Sequence, residues 1–207
     1  KTTFFNVITG LYEPDAGSFA LGGEPYKPQA VHQVAKAGIA RTFQNIRLFA
    51  EMTALENVMV GRHVRTQSGL LGAVFRTPGF KAEEAAIEAR ARELLTYVGI
   101  DKYADYKART LSYGDQRRLE IARALALQPK ILLLDEPAAG MNPSEKQGLS
   151  DFIRAVRAQF DLTVILIEHH VPLVMGLCDR IAVLNFGVLI ALGTPAVVAD
   201  DPAVIEA

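Results

Sequence analysis

A single cysteine, Cys178, stands in 207 residues. It excludes an internal disulfide and fits a reducing compartment. Cys178 reads as a small apolar residue on a helix and not as a catalytic thiol. An excess of charge of one sign is also lacking. Twenty-two Lys and Arg face 23 Asp and Glu, a formal net charge of −1, so the chain as a whole offers no strong field to nucleic acid or to an anionic membrane. No apolar stretch approaches the ~20 residues that a membrane-spanning helix needs. The opening residues Lys1-Thr2-Thr3-Phe4-Phe5 carry no cleavage site, so no signal peptide is expected there. Internal repeats and low-complexity tracts are absent as well. What remains is a chain that is 50% hydrophobic, enough for one large domain or for one domain carrying a smaller subdomain.

The order of elements follows from periodicity and from turn residues. Thr2 to Leu11 is apolar enough for a buried helix. Ser18 to Leu21 reads as a short strand closed by Gly22-Gly23, Gln29 to Lys36 as a short helix, and Ile39 to Phe43 as a strand. Ala54 to Arg62 is helical. Thr66 to Phe80 holds several glycines and prolines and reads as an irregular insertion. Lys81 to Val98 is an amphipathic helix with Ile87, Ala91, Leu94, Leu95 and Val98 on one face and Gly99 placed to end it. Leu111 to Leu127 is a further helix with Ser112 as its N-cap. After Pro129 the pattern alternates: strand Ile131 to Leu134, helix Ser144 to Phe160, strand Thr163 to Ile167, helix Val171 to Cys178. A hairpin, Arg180 to Asn185 and Val188 to Leu192, turns at Phe186-Gly187. Such alternation implies a parallel sheet covered by helices.

The most informative segment is Ile131-Leu132-Leu133-Leu134-Asp135-Glu136-Pro137. Four apolar residues suit a strand buried on both faces. Two acids directly after it suit a strand that ends at a ligand, since open α/β sheets bind ligands at the carboxyl ends of their strands. One carboxylate can hold Mg²⁺ near a nucleotide phosphate, and the other can poise a water for attack. Lys1-Thr2-Thr3 matches the last residues of the phosphate loop G-x-x-x-x-G-K-[ST] and leads into a helix; taken alone it also suits a solvated terminus. Thr42-Phe43-Gln44-Asn45 places a glutamine at the end of a strand, where it can ligate Mg²⁺ or sit as a surface amide. In Leu111-Ser112-Tyr113-Gly114-Asp115-Gln116-Arg117-Arg118, Ser112 and Gly114 stand at a helix start where an anion can approach. The plain alternative is a capped helix with Arg117, Arg118 and Arg123 in solvent. Glu168-His169-His170 follows an apolar strand. The two histidines point in different directions and are poor partners for one metal, yet one imidazole can reach a terminal phosphate.

In this order the segments resemble the ATP-binding cassette (ABC) family of ATPases over essentially the whole chain. Lys1, Thr2 and Thr3 resemble the end of the Walker A loop, Gln44 the Q-loop glutamine, and Leu111 to Gln116 the signature motif. Ile131 to Glu136 resembles the Walker B strand, Ala138 to Asn142 the D-loop, and His169 the switch histidine. The segments Arg41 to Phe49, Arg117 to Arg123 and Glu136 to Pro143 are similar to the ATP-binding subunits of bacterial branched-chain amino acid importers. Tyr113 and Asp115 depart from the Leu-Ser-Gly-Gly-Gln signature, Asn142 from the D-loop aspartate, and His170 from the acid that commonly follows the switch histidine.

The resemblance implies an α/β P-loop core with a mostly parallel sheet at residues 1–44 and 127–207, interrupted by a helical subdomain at 45–126 that carries the signature. The glycines of the Walker A loop and the strand before it would lie upstream of Lys1, and without them the segment would hold ATP poorly. The implied roles are phosphate and Mg²⁺ contacts from Lys1, Thr2 and Thr3, metal ligation by Thr2, Gln44 and Asp135, water activation by Glu136, and sensing of the γ-phosphate by Gln44 and His169. Ser112, Gly114 and Gln116 would contact ATP held by a second ABC subunit, in a homodimer or a heterodimer. The implied partners are integral membrane permease subunits, docked around Asn45 to Glu56 with Leu48, Phe49 and Met52 as contacts, and indirectly a solute-binding protein. The implied location is the cytoplasmic face of a bacterial inner membrane. A cytosolic cassette that remodels nucleic acid or ribosomes would call for a basic face, a long coiled coil or a tandem second cassette. None is present in the sequence. A nucleotide-regulated scaffold without turnover would not need Asp135, Glu136 and His169 together.

Overall fold

The computed structural model describes residues 1–27, 30–63 and 77–207. Helix α1 (Thr2–Ile8) begins directly after Lys1. It ends earlier than its apolar composition suggests, because the Thr9 hydroxyl donates to the Phe5 carbonyl at 2.7 Å and Gly10 turns at φ 71°. Phe5 is its one buried residue, with Ile8 packed beside it, so the expected buried helix is buried along one side only and its first turn is exposed. Strand β1 (Phe19–Leu21) pairs antiparallel with β2 (Glu24–Tyr26) around Gly22-Gly23. Pro25 hides β2 from pattern reading; it is tolerated because a two-stranded hairpin is all edge. Helix α2 (Val31–Lys36) and strand β3 (Ile39–Arg41) follow. Gln29, expected to open that helix, lies outside the described residues.

Helix α3 (Ala54–Arg62) starts at a capping box in which Thr53 and Glu56 satisfy each other's backbone N–H. Of the irregular stretch expected at Thr66 to Phe80, residues 66–76 lie outside the described residues. The rest is ordered differently from the expectation. Thr77 caps helix α4 (Pro78–Tyr97), and Pro78 occupies the first turn, where its missing N–H costs nothing. On α4, Ile87, Ala91, Leu94 and Leu95 are buried, with Val98 beyond it. Helix α5 (Tyr113–Ala126) is capped by Ser112. Strand β4 (Ile131–Asp135), helix α6 (Pro143–Phe160), strand β5 (Thr163–Ile167) and helix α7 (Val171–Leu177) then alternate. Strands β6 (Ile181–Asn185) and β7 (Val188–Gly193) form the expected hairpin. It turns where Phe186 and Gly187 both have positive φ, the twist that two-residue hairpins favour. Short helices α8 (Pro195–Ala199) and α9 (Pro202–Glu206) close the chain.

Strands β3, β4 and β5 lie parallel in that order, with β4 in the centre. Alternation along β4 divides its side chains between two cores. Leu132 and Leu134 join the large cluster built with α3, α4, α5 and α6. Leu133 joins Phe5, Val34, Ile39 and Ile167 on the opposite face. This explains why the run is apolar without interruption. Among the described residues no ladder joins β5 to β6. Among the described residues the parallel part of the sheet is three strands wide, and a cavity of about 860 Å³ lies between β5, α7 and β6, reaching Lys1 and Phe4.

Candidate active site

Parallel strands bring their carboxyl ends, and the loops that leave them, to one edge. Three of the expected residues meet there. Gln44 lies three residues beyond β3, Glu136 one beyond β4, and His169 two beyond β5. The Gln44 side-chain amide donates to Glu136 Oε2 at 2.9 Å, and His169 Nδ1 lies 3.7 Å from the same oxygen. Glu136 adopts φ 46°, a left-handed conformation that costs a non-glycine residue about 1–3 kcal/mol. Its backbone N–H is fixed to Ile167 O at 2.9 Å. The strained turn aims the carboxylate across the strand ends instead of along β4.

Asp135, the last residue of β4, is buried. Arg41 Nη2 donates to its Oδ2 at 2.8 Å, while Arg41 Nη1 reaches Asn6 Oδ1 at 2.7 Å on α1. The guanidinium also lies over the rings of Phe5 and Phe43. Asp135 Oδ1 is buried without a hydrogen-bond partner among the described residues. One carboxylate oxygen is thus balanced by a cation, and the other has no partner among the described residues.

Glu168 is a residue whose part the sequence does not announce. Its Oε1 accepts from Ala138 N at 2.9 Å, and its Oε2 accepts from His169 N at 3.1 Å. It therefore ties the loop after β4 to the loop after β5. The same signal that marks Asp135 and Glu136, an acid directly after an apolar strand, marks Glu168. The two histidines part as their adjacency suggests: His170 Nδ1 accepts from Leu173 N at 3.3 Å and caps α7, while His169 faces Glu136.

At the start of α5 the Ser112 side chain accepts from Asp115 N and donates to Asp115 Oδ2 at 2.7 Å. Asp115, which departs from the family pattern, thereby serves the cap. Gln116 Nε2 donates to Leu111 O at 3.0 Å, so its amide is engaged on its own loop. Ser112 and Gly114 are exposed, and a Cβ built on Gly114 meets nothing within 4 Å. No hydrogen bond among the described residues joins them to Gln44, Glu136 or His169. Lys1, Thr2 and Thr3 are exposed at the start of α1. Of the three arginines that the plain alternative leaves in solvent, only Arg118 is there. Arg117 is buried against Glu120. Arg123 is half-buried, its ordinary high pKa lowered by loss of water and partly restored by the charge of Glu120.

Among the described residues no three His, Cys, Asp or Glu side chains are grouped as a metal site. Mg²⁺ keeps few protein ligands and is carried largely by phosphate oxygens and water, so the fit rests on single oxygens. The free Oδ1 of Asp135 and the exposed hydroxyl and amide of Thr2 and Gln44 are ligands of the right chemistry.

A parallel sheet with acid, amide and imidazole converging at its carboxyl edge suits an α/β protein that hydrolyses a bound ligand there. The chain belongs to the ABC transporter family, whose model matches residues 1–139, and it is the ATP-binding, ATP-hydrolysing subunit of such a system. It is 45% identical over 207 residues to the high-affinity branched-chain amino acid transport ATP-binding protein BraF of Pseudomonas aeruginosa, covering 100% of this chain and 81% of that protein. LivG of Escherichia coli K12, which bears the same description, is 44% identical over the same spans. Among solved structures, the ADP conformation of the ATP-binding cassette MJ1267 superposes with a TM-score of 0.81 at 31% identity, covering 100% of this chain and 82% of that one.

Proposed function

We propose that this ATPase powers the uptake of branched-chain amino acids through separate permease subunits. The observation that carries the reading is 44–45% identity over all 207 residues to BraF and LivG. The site supports the ATPase half. Glu136 orients or deprotonates the attacking water, since its Oε2 is held by Gln44 and flanked by His169. Gln44 and His169 hold their polar atoms where a γ-phosphate would be sensed. Lys1, Thr2 and Thr3 hold phosphate oxygens at the start of α1. A bound magnesium ion, held by Thr2, Gln44 and Asp135, would neutralise charge on the β- and γ-phosphates. Ser112 and Gly114, exposed at the start of α5, contact ATP of a second ABC subunit, with Gln116 keeping their loop in shape.

The division that goes with this reading is a core of residues 1–44 and 127–207 and a helical subdomain of 45–126. No helix among the described residues is long and apolar enough to cross a membrane; the partner permeases at the cytoplasmic face of the inner membrane belong to the reading on the strength of the likeness to BraF and LivG. Phe49 is exposed and lines a small pocket of about 280 Å³ with Val60, Gly61, Arg123 and Leu127. That pocket is where a permease helix would dock, with Leu48 and Met52 of the segment 45–56 as further contacts.

The test is uptake of labelled leucine by cells that carry the full-length protein and its co-purifying membrane subunits. Glu136→Gln is expected to abolish uptake while leaving the complex assembled. Leucine uptake that persists in the variant would sink the assignment of Glu136. A complex that takes up an unrelated solute in place of leucine, isoleucine or valine would sink the substrate.

A further inference from the structure

From Phe43 to Leu48, among the described residues, no main-chain group bonds to another main-chain group. The loop that carries Gln44 is anchored by side chains of α5 instead. Arg117 Nη1 donates to Phe43 O at 2.7 Å and Arg117 Nη2 to Gln44 O at 3.0 Å. Glu120 Oε1 accepts from Phe43 N and from Arg47 N, each at 3.3 Å. The two side chains pair with each other at 2.9 Å, and each residue is only 1% exposed.

We propose that Arg117 and Glu120 are a positioning pair: a buried clamp on α5 that fixes the main chain around Gln44 and so holds its amide on Glu136. The proposal rests on the reading of Gln44 as part of the hydrolytic site. Its physical basis is the geometry of the fork. A guanidinium presents several donors in one rigid plane, so a single Arg can hold two consecutive carbonyls while pairing with a carboxylate. The carboxylate in turn accepts the two N–H groups on either side. A buried ion pair is by itself weak evidence for stability, since apolar residues of like volume often replace it without loss. Apolar residues could not hold four main-chain groups of another segment.

The clamp also has a second end. Arg117 Nη2 lies 3.2 Å from the Tyr113 hydroxyl, in the first turn of α5 beside Ser112 and Gly114. Displacement of that turn therefore reaches Gln44 through one side chain. The two residues make the state of the exposed α5 start and the state of the water-activating carboxylate parts of one rigid unit.

The experiment uses the full-length protein with four changes: Arg117→Leu/Glu120→Leu, which leaves no buried charge unpaired; Arg117→Lys, which keeps the charge and loses the fork; Gln44→Ala; and the triple variant. Steady-state ATPase gives kcat and KM separately, and hydrogen exchange reports the amides of 43–47. The expected result is a fall in kcat on the order of 10²-fold for the Leu/Leu variant, the cost of a misplaced catalytic group, with KM nearly unchanged. The amides of Phe43 and Arg47 exchange faster while those of central α5 do not. Arg117→Lys resembles the Leu/Leu variant, and the triple variant is no slower than Gln44→Ala, because the pair acts through that residue. Losses that multiply with Gln44→Ala, or a normal kcat with loosened 43–47, would overturn the clamp alone. A normal kcat in Gln44→Ala itself would overturn the reading of Gln44 and the clamp with it. If the Leu/Leu variant does not fold, Arg117→Lys, alone and combined with Gln44→Ala, answers by the same measurements.

Discussion

The side-chain amide of Gln44 donates to Glu136 Oε2 at 2.9 Å, across 92 residues of sequence. An amide held on a carboxylate is a neutral donor on an anion; it orders the carboxylate without neutralising it. His169 lies 3.7 Å from the same oxygen, and on the proposed reading it acts on the same event. His169→Ala should therefore lower kcat by roughly 10²–10⁴-fold, the usual worth of a positioned acid–base group. Stability should change little, because the ring is exposed. Combined with Glu136→Gln the loss should not multiply, since both serve one step. Phosphate release under saturating ATP decides it, and near-normal turnover in His169→Ala would remove that residue from the site.

Arg41 and Asp135 form an ion pair whose side chains are 6% and 2% exposed. Arg41→Leu leaves the Asp135 carboxylate buried without its counter-charge, a loss of about 3–5 kcal/mol. For a chain of this size that corresponds to a melting point lower by roughly 10 °C. Adding Asp135→Asn should restore part of it, because the charge that needed the guanidinium is gone. Thermal melting of the single and double variants tests this. A change in Arg41→Leu of only a degree or two would mean that Asp135 finds another partner.

Local pattern made the core legible. The run Ile131 to Leu134, the acids after it, and the buried face of α4 all follow from spacing that a window of a few residues contains. So does the capping residue Ser112. What stayed hidden depends on distance in sequence. The anchoring of Phe43 and Gln44 by Arg117 spans 74 and 73 residues. The Arg41–Asp135 bond spans 94. Arg117 and Glu120 are also three apart on a helix, a spacing that by itself describes an ordinary surface pair. Their burial is set by the loop that packs on them. Pro25 concealed β2, since the sign that breaks a central strand says nothing about an edge.

Two glycines separate packing from function. A Cβ on Gly61 would stand 2.3 Å from Arg123 O and 3.1 Å from Ala126 Cβ, where α3 lies against α5. The obstacle is backbone and cannot swing aside. Gly61→Ala should cost about 1–3 kcal/mol through overpacking, more than the ~1 kcal/mol that alanine contributes by helix propensity. On Gly114 the same Cβ meets nothing within 4 Å, so Gly114→Ala should leave urea unfolding unchanged or slightly improved. If Gly114 faces ATP of a second subunit, its variant loses ATP-dependent dimerisation with its stability intact. Unfolding midpoints in the reverse order would contradict the packing of α3 on α5.

Glu51 accepts a hydrogen bond from Lys107 at 2.8 Å and pairs with Arg109 at 2.9 Å, joining the segment before α3 to the segment before α5. The Lys107 hydrogen bond, then the charges of Arg109 and Lys107, hold its carboxyl below the ordinary carboxylate range. The sign follows from linkage: a carboxyl depressed in the folded state stabilises fully above its unfolded pKa and loses that contribution as pH falls through the folded value. Glu51→Gln should thus melt slightly below the unsubstituted protein at neutral pH. The gap should close as pH is lowered past the ordinary carboxylate range. Because the group is exposed, salt should narrow the gap as well, by screening. Melting curves of the two proteins from neutral to acid pH, at low and high salt, measure it. A gap that widens on acidification would reverse the sign and show that Lys107 and Arg109 do not hold Glu51 ionised.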